Sequence, residues 1–328
     1  MEFQVKILFM TFAFTIGLSF VMIPLLKKLK VGQQVRDDGP ETHLVKQGTP
    51  TMGGIIIAIA SILTCIFLYY YYNHITIEPQ IAKHFLAMLI ATIGMGFVGL
   101  IDDFKKVVLK NTKGLSPKAK MFGLLLVSTA YVVYLVYGLK IGTDICIPFV
   151  EGTITLPVWI YIPFAIFVIL GATNAINLTD GIDGLSSSIT TVILTAFTVI
   201  AIILNVKEVT LLGSCIAGAC LGFLIFNLYP SKVMMGDTGS LFLGGAISIM
   251  ALYLKMPLLL LIVAIVSIAE TLSVMIQVVH FKRTGKRIFK MAPLHHHFEL
   301  SGWRENKIVS VFSLITLVVS IIGILSIR

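Results

Sequence analysis

The chain has 328 residues, 57% of them hydrophobic and only 12% charged, with a mean hydropathy of +0.97. Soluble domains carry about a quarter charged residues, so a soluble globular fold is excluded and an all-α polytopic membrane protein is predicted. A net charge of +9 in so apolar a chain reads as basic connections that orient membrane helices, with no nucleic-acid partner implied.

Apolar stretches of the roughly 17 to 25 residues needed to cross a bilayer fall at 5–25, 53–72, 85–101, 121–138, 158–173, 187–204, 209–228, 240–254, 257–280 and 308–327. This predicts about ten transmembrane helices in one domain spanning 1–328. The first stretch lacks a basic n-region and a small-residue cleavage site, so it reads as a retained span. After it come Lys27, Lys28, Lys30, Arg36 and Lys46. The third span closes on Ile101-Asp102-Asp103-Phe104, followed by Lys105, Lys106, Lys110, Lys113, Lys118 and Lys120. Adjacent helical residues point about 100° apart, so Asp102 and Asp103 are expected to do different jobs. The plain alternative is a solvated helix-end pair that balances Lys105 and Lys106.

The stretch 139–157 alternates apolar and polar residues around Val150-Glu151-Gly152, which predicts a small β-hairpin. Between spans five and six, Asn174, Asn177, Asp180 and Asp183 recur every third residue. On a helix or tight turn they share a side, and Gly181 and Gly184 suit a loop that grips a ligand. A helix cap needs one such residue, not four. Lys232 precedes Gly236-Asp237-Thr238-Gly239-Ser240 at the start of span eight. There a carboxylate and hydroxyls meet a helix N-terminus, which suits phosphate oxygens and a bridging Mg²⁺.

The ninth span opens at Pro257, contains Glu270, and leads through Gln277 and His280 into a basic segment. It is expected to break and continue as an amphipathic piece along the membrane surface. The segment holds Lys282, Arg283, Lys286, Arg287, Lys290, Arg304 and Lys307, and within it His295-His296-His297 follows Pro293. Consecutive side chains diverge, so the triplet makes a poor zinc tripod. Imidazoles that bind a diphosphate or sugar hydroxyl are the stronger reading. Oxygen-rich acids favour Mg²⁺ over a soft metal. The basic residues crowd the odd-numbered connections, which places these in the cytoplasm and both termini outside. Cys65, Cys146, Cys215 and Cys220 have no metal or redox spacing and read as small hydrophobes. A charged side chain at mid-bilayer costs roughly 2.5 to 3.5 kcal/mol on insertion scales. Acids and imidazoles gathered at one end of the spans therefore mark an integral-membrane enzyme.

Taken in order, GTPTMGG (Gly48 to Gly54), IDDF, NAINLTDGIDGL, GDTGS and FKMAPLHHHFEL (Phe289 to Leu300) resemble the phospho-N-acetylmuramoyl-pentapeptide transferase (MraY) family. That family lies within the polyprenyl-phosphate N-acetylhexosamine-1-phosphate transferases. The likeness runs from about Gly32 to Lys307, and the triple-histidine stretch is its most specific part. It implies transfer of phospho-MurNAc-pentapeptide from UDP-MurNAc-pentapeptide to undecaprenyl phosphate, giving lipid I and UMP at the inner face of a bacterial plasma membrane. It also implies a homodimer. By the same likeness Asp237 would ligate Mg²⁺, Asp102 would deprotonate or orient the prenyl phosphate, and Asp103 would support the metal or a lysine. The catalytic set then comprises Asp102, Asp103, Asp237 and His296. Lys46, Thr51, Lys120, Asn177, Asp180, Asp183, Asn227, Gln277, His295 and His297 would line the substrate site, with uracil near Gly181, Ile182 and Asp183. Met234 stands where many relatives carry an aromatic that would stack on uracil. A UDP-GlcNAc transferase is the nearer alternative, and an ion-coupled transporter using Glu270 the more distant one.

Overall fold

A computed structural model describes residues 3–28, 48–107, 109 and 114–327. Lys30, Arg36, Lys46, Lys110 and Lys113 lie outside the described residues. Helices α1 (Phe3–Lys28), α2 (Gly54–Tyr70), α3 (Pro79–Val107), α4 (Pro117–Val133), α5 (Val158–Thr179), α6 (Leu185–Ile203) and α7 (Lys207–Asn227) are followed by α8 (Gly236–Tyr253). Then come the short α9 (Leu260–Val263), α10 (Ile265–Thr284), α11 (Leu294–Glu299) and α12 (Glu305–Leu325). Among the described residues nine helices are long and apolar enough to cross a membrane. They are the first seven, with α2 and α4 extended to Ile75 and Gly138, together with α10 and α12. The tenth expected span is α8, which falls outside that group because its 18 residues begin with the polar GDTGS. Every α8 residue from Thr238 to Tyr253 is buried, so protein rather than lipid surrounds it.

Large apolar side chains stay exposed on the outer faces of several helices: Phe9 and Phe20 on α1, Phe122 and Leu126 on α4, Leu314 and Val318 on α12. These surfaces suit hydrocarbon, where a helix satisfies its own backbone polar groups. Hydroxyls within the spans bond back to the preceding turn: Thr11 to the Ile7 carbonyl, Thr92 to Met88 and Thr198 to Leu194. They thus avoid the cost of an unpaired polar group in an apolar medium. The expected hairpin is present, with β1 (Asp144–Cys146) antiparallel to β2 (Thr153–Thr155) and Asp144 opposite Thr155. The cysteines are free; Cys65, Cys215 and Cys220 are buried as expected.

The ninth span differs from its sequence reading. A 3₁₀ turn at Pro257–Leu259 leads into α9, and Ala264 (φ −101, ψ 20) interrupts the helix before α10 begins. The expected break is thus present but lies at Ala264, ahead of the polar end, and among the described residues α10 runs on without a second break. From Ile265 the helix continues through Gln277 and His280 to Thr284, where Gly285 (φ 69) ends it in the left-handed conformation. Pro257 stands at the first position of the 3₁₀ turn, where its missing N–H costs no helix hydrogen bond.

The two ends of the bundle differ in character. At one end Phe3 of α1 stacks on Tyr71, Lys207 pairs with Glu78, Lys255 pairs with Asp144, and Phe149 donates to the Ser326 carbonyl. That end holds the hairpin together with the start of α1 and the end of α12. The opposite end gathers the polar motifs.

Candidate active site at the polar end of the bundle

Glycines allow the elements to converge here. A Cβ on Gly99 of α3 would collide with the Asp237 carbonyl, and one on Gly54 of α2 would collide with the backbone of Gly239. Helices α2 and α3 can therefore touch the first turn of α8 main chain to main chain. The 50–54 segment is pinned to 234–235 by three hydrogen bonds: Gly53 N to Met234 O at 2.9 Å, Gly54 N to Met235 O at 2.9 Å, and Met234 N to Pro50 O at 2.8 Å. Gly236 (φ 75) turns the chain into α8, a conformation that costs glycine little.

Asp102 and Asp103, both buried, do diverge. Asp103 accepts the Asp237 amide through Oδ1 at 3.1 Å. Its Oδ2 accepts the Thr238 amide at 2.8 Å and the Thr238 hydroxyl at 2.6 Å. It is a side-chain acceptor for the α8 N-terminus, supplied from α3. Asp102 points the other way. Its Oδ2 lies 2.5 Å from Lys106 Nζ, and its Oδ1 accepts the Leu115 amide at 2.6 Å.

Asp237 is the hub. Its Oδ2 receives Lys106 at 2.9 Å and Lys120 at 3.0 Å, and its Oδ1 receives Asn177 Nδ2 at 2.9 Å. Asn177 also accepts from Lys120 at 3.0 Å and donates to Ser240 Oγ at 2.8 Å. Four helices thus fix one carboxylate whose side chain keeps 18% of its surface open. Lys106, which the sequence presents as a mere counter-charge, bridges Asp102 and Asp237. Its i,i+4 spacing from Asp102 was the available signal.

Helix α5 ends at Thr179, and the 180–184 turn closes on Gly184 (φ 77). Burial pushes the Asp180 carboxyl up to about 8, with the charges of Asp237 and Asp103 adding to the rise and the Gly236 amide opposing it. Asp183 accepts the Ser231 amide through Oδ2 at 3.0 Å, and its own amide donates to Glu305 at 3.3 Å. Ile182 is buried. Asn174 stands apart from this group, its amide bonding back to the Leu170 carbonyl. Thr51 borders Gly236, its Oγ1 being 3.0 Å from where a Cβ would lie there. Asn227 accepts the Ser187 hydroxyl at 2.6 Å and donates to the Val233 carbonyl at 2.9 Å, tying the start of α6 to the 228–235 loop. In that loop Met234 is buried and its Sδ accepts from Ser231 at 3.2 Å.

The loop after α10 is folded onto that helix. Gln277 holds it, donating to the Phe289 carbonyl at 2.9 Å and accepting the Ile288 and Phe289 amides at 3.0 Å each. The three histidines part company as their spacing implies. His295 is fully buried beside Glu270, His296 Nδ1 lies 2.7 Å from Glu299, and His297 Nδ1 accepts the Lys290 amide at 3.1 Å. Glu299, Glu305 and Ser187 complete these contacts without a role in the motif reading, and Glu270 had one only in the transporter alternative.

Among the described residues no three histidine, cysteine or acidic side chains converge as a ready metal cage. Magnesium is commonly held by one or two carboxylates together with substrate phosphates. Asp237, an oxygen donor that draws two ammonium groups to one atom, has the chemistry for it.

The family description "Glycosyl transferase family 4" matches residues 85–255. "Phospho-N-acetylmuramoyl-pentapeptide-transferase signature 1" matches residues 46–57. The phospho-N-acetylmuramoyl-pentapeptide-transferase of Acetivibrio thermocellus is 47% identical over 328 residues, covering 99% of this chain and 96% of that one. The proteins of that name from Clostridium novyi and Clostridium perfringens strain 13 are 47% and 48% identical over 306 residues. Each alignment covers 93% of this chain, with 91% of the first relative and 93% of the second.

Proposed function

The chain belongs to the phospho-N-acetylmuramoyl-pentapeptide-transferase family, and on that premise we propose that it moves phospho-MurNAc-pentapeptide from UDP-MurNAc-pentapeptide to undecaprenyl phosphate, releasing UMP. The observation that carries this reading is the Asp102, Lys106, Asp237, Lys120 and Asn177 network at the polar end of apolar helices. A prenyl phosphate can reach that network from lipid, and an anionic nucleotide can reach it from water. We place this end at the cytoplasmic face of the bacterial plasma membrane, because the basic connections belong to it.

In the reaction an oxygen of undecaprenyl phosphate attacks the phosphorus attached to the sugar, and the bond from that phosphorus to the UMP oxygen breaks. Such transfers rely on positioning and charge neutralisation more than on covalent help. Lys106 and Lys120 are set to neutralise phosphate oxygens, at the ends of chains already anchored on Asp237. Asp102 orients the attacking phosphate and takes its proton if it carries one. Asp103 holds the turn that carries Asp237. Asp237 would hold Mg²⁺, which when bound supplies further neutralisation of the diphosphate. The 180–183 turn and Met234 form the uracil side, and the histidine loop meets the sugar and diphosphate. We assign the working unit as a homodimer by likeness to the family.

Presenting the purified protein with Mg²⁺, undecaprenyl phosphate and either UDP-MurNAc-pentapeptide or UDP-GlcNAc tests the assignment. UMP release with the first donor and not the second is expected. Release with UDP-GlcNAc alone would overturn it.

A further inference from the structure

Glu270 lies inside membrane-spanning α10 with 0% exposure, outside the aspartate network. An acid is costly there unless something on the protein compensates it. The compensation comes from His295. Its backbone amide donates to Glu270 Oε1 at 3.2 Å and Oε2 at 3.4 Å. Its ring Nδ1 lies 3.2 Å from Oε1. His295 is itself fully buried, and among the described residues neither ring nitrogen has a partner in hydrogen-bond geometry, Nδ1 only lying beside the Glu270 carboxylate. Nε2 faces Gly181, where any Cβ would collide with it. The turn it faces is the one that carries Asp180, whose carboxyl takes the Gly236 amide beside Asp237.

An unpaired buried ring nitrogen costs about 1 to 3 kcal/mol, so its orientation needs both a cause and a use. Glu270 supplies the cause, because it holds the His295 main-chain amide and sets its carboxylate on the Nδ1 side of the ring. A ligand at the Asp180–Gly181 turn supplies the use. We propose that Glu270 is a positioning residue for the transfer reaction, fixing His295 so that Nε2 is presented to the diphosphate of the nucleotide sugar. The proposal rests on the transferase reading above. His295 donates Nε2–H to a phosphate oxygen, with the Glu270 carboxylate on the opposite, Nδ1 side of the ring. The pairing follows the general pattern in which a carboxylate behind an imidazole sets which nitrogen works.

The test is a double-mutant cycle on the full chain in lipid nanodiscs. It is read by calorimetry as the Kd of UDP-MurNAc-pentapeptide with Mg²⁺ and without undecaprenyl phosphate, so that it survives loss of turnover. Glu270→Gln should weaken binding about tenfold in the wild-type background, the size of one charge-assisted hydrogen bond. In the His295→Ala background the same change should cost less than about twofold, because its effect runs through the imidazole. Glu270→Asp, which keeps the charge and retracts it by one methylene, should fall between wild type and Glu270→Gln. It replaces Glu270→Gln in the cycle if that variant does not fold. Equal weakening in both backgrounds, or unchanged affinity in Glu270→Gln, overturns the proposal. A wild-type protein that binds UDP-GlcNAc and not UDP-MurNAc-pentapeptide overturns the substrate reading instead, and the cycle is then read on UDP-GlcNAc.

Discussion

Replacing Asp103 with alanine separates two neighbouring aspartates by what each supports. Asp103 accepts the amides of Asp237 and Thr238 and the Thr238 hydroxyl, at 3.1, 2.8 and 2.6 Å. Thr238 is 3% exposed, so water does not replace the lost acceptor. Losing a side-chain acceptor at a helix N-terminus costs roughly 0.5 to 2 kcal/mol, and a buried donor left unpaired costs about 1 to 3 kcal/mol. Removing the buried carboxylate returns part of this through relieved desolvation, which leaves a net loss of about 2 to 4 kcal/mol. Asp102→Ala gives up a contact to Lys106, whose side chain is 38% exposed and keeps Asp237 as a partner, and the amide of Leu115, which is only part-buried and so open to water. Its cost should be nearer about 1 kcal/mol. The assay pairs thermal unfolding in detergent with UMP release. Both variants should lose transfer, but only Asp103→Ala should also melt several degrees lower. Equal melting temperatures alongside equal loss of transfer would refute the capping role.

Asp237→Asn should lower turnover by orders of magnitude at saturating Mg²⁺, since it weakens the group on which both lysines converge; turnover within about tenfold of wild type would remove it from the proposed ligand set. Wild-type protein given UDP-MurNAc-pentapeptide without lipid should release no stoichiometric UMP, and a burst with label retained on protein would establish a covalent intermediate on Asp102 or Asp103. Gly99→Ala should cost about 1 to 3 kcal/mol by overpacking and should also depress transfer, because the new methyl meets the Asp237 carbonyl; wild-type melting and turnover would show that α3 and α8 can part without consequence. At the opposite end, the hydrogen bond from Lys255, helped by Thr155, holds the Asp144 carboxyl below its ordinary value. The stability it gives is present above the ordinary carboxylate range and lost as pH falls, so Asp144→Asn should lower the melting temperature at pH 7 and match wild type at strongly acidic pH; a pH-independent difference would count against the ion pair.

The fold was legible where apolar length alone decides, and the helices that face lipid fall close to where hydropathy puts them. Hydropathy failed where protein replaces lipid. Helix α8 is sheathed by its neighbours along its whole length, so it needs no uniformly oily span and can begin on GDTGS. The ninth span misled for a related reason: the oily run from Pro257 onward is continuous in composition, while the break at Ala264 is a backbone event that composition does not register. Within the site, residue type announced the acids and histidines, but partnership was legible only over short range. The pairing of Asp102 with Lys106 could be read from helix periodicity. Asp103 capping a helix 134 residues away could not, nor could Glu270 gripping His295 across 25 residues. The same limit governs the glycines. GTPTMGG and the glycine before Leu100 look like flexible spacers in the chain, yet Gly54 and Gly99 are small because another main chain occupies the place of their side chains. A motif of this kind encodes a surface that must be touched, and the toucher lies elsewhere in the sequence. This is why the acids could be named from the chain and their separate duties could not.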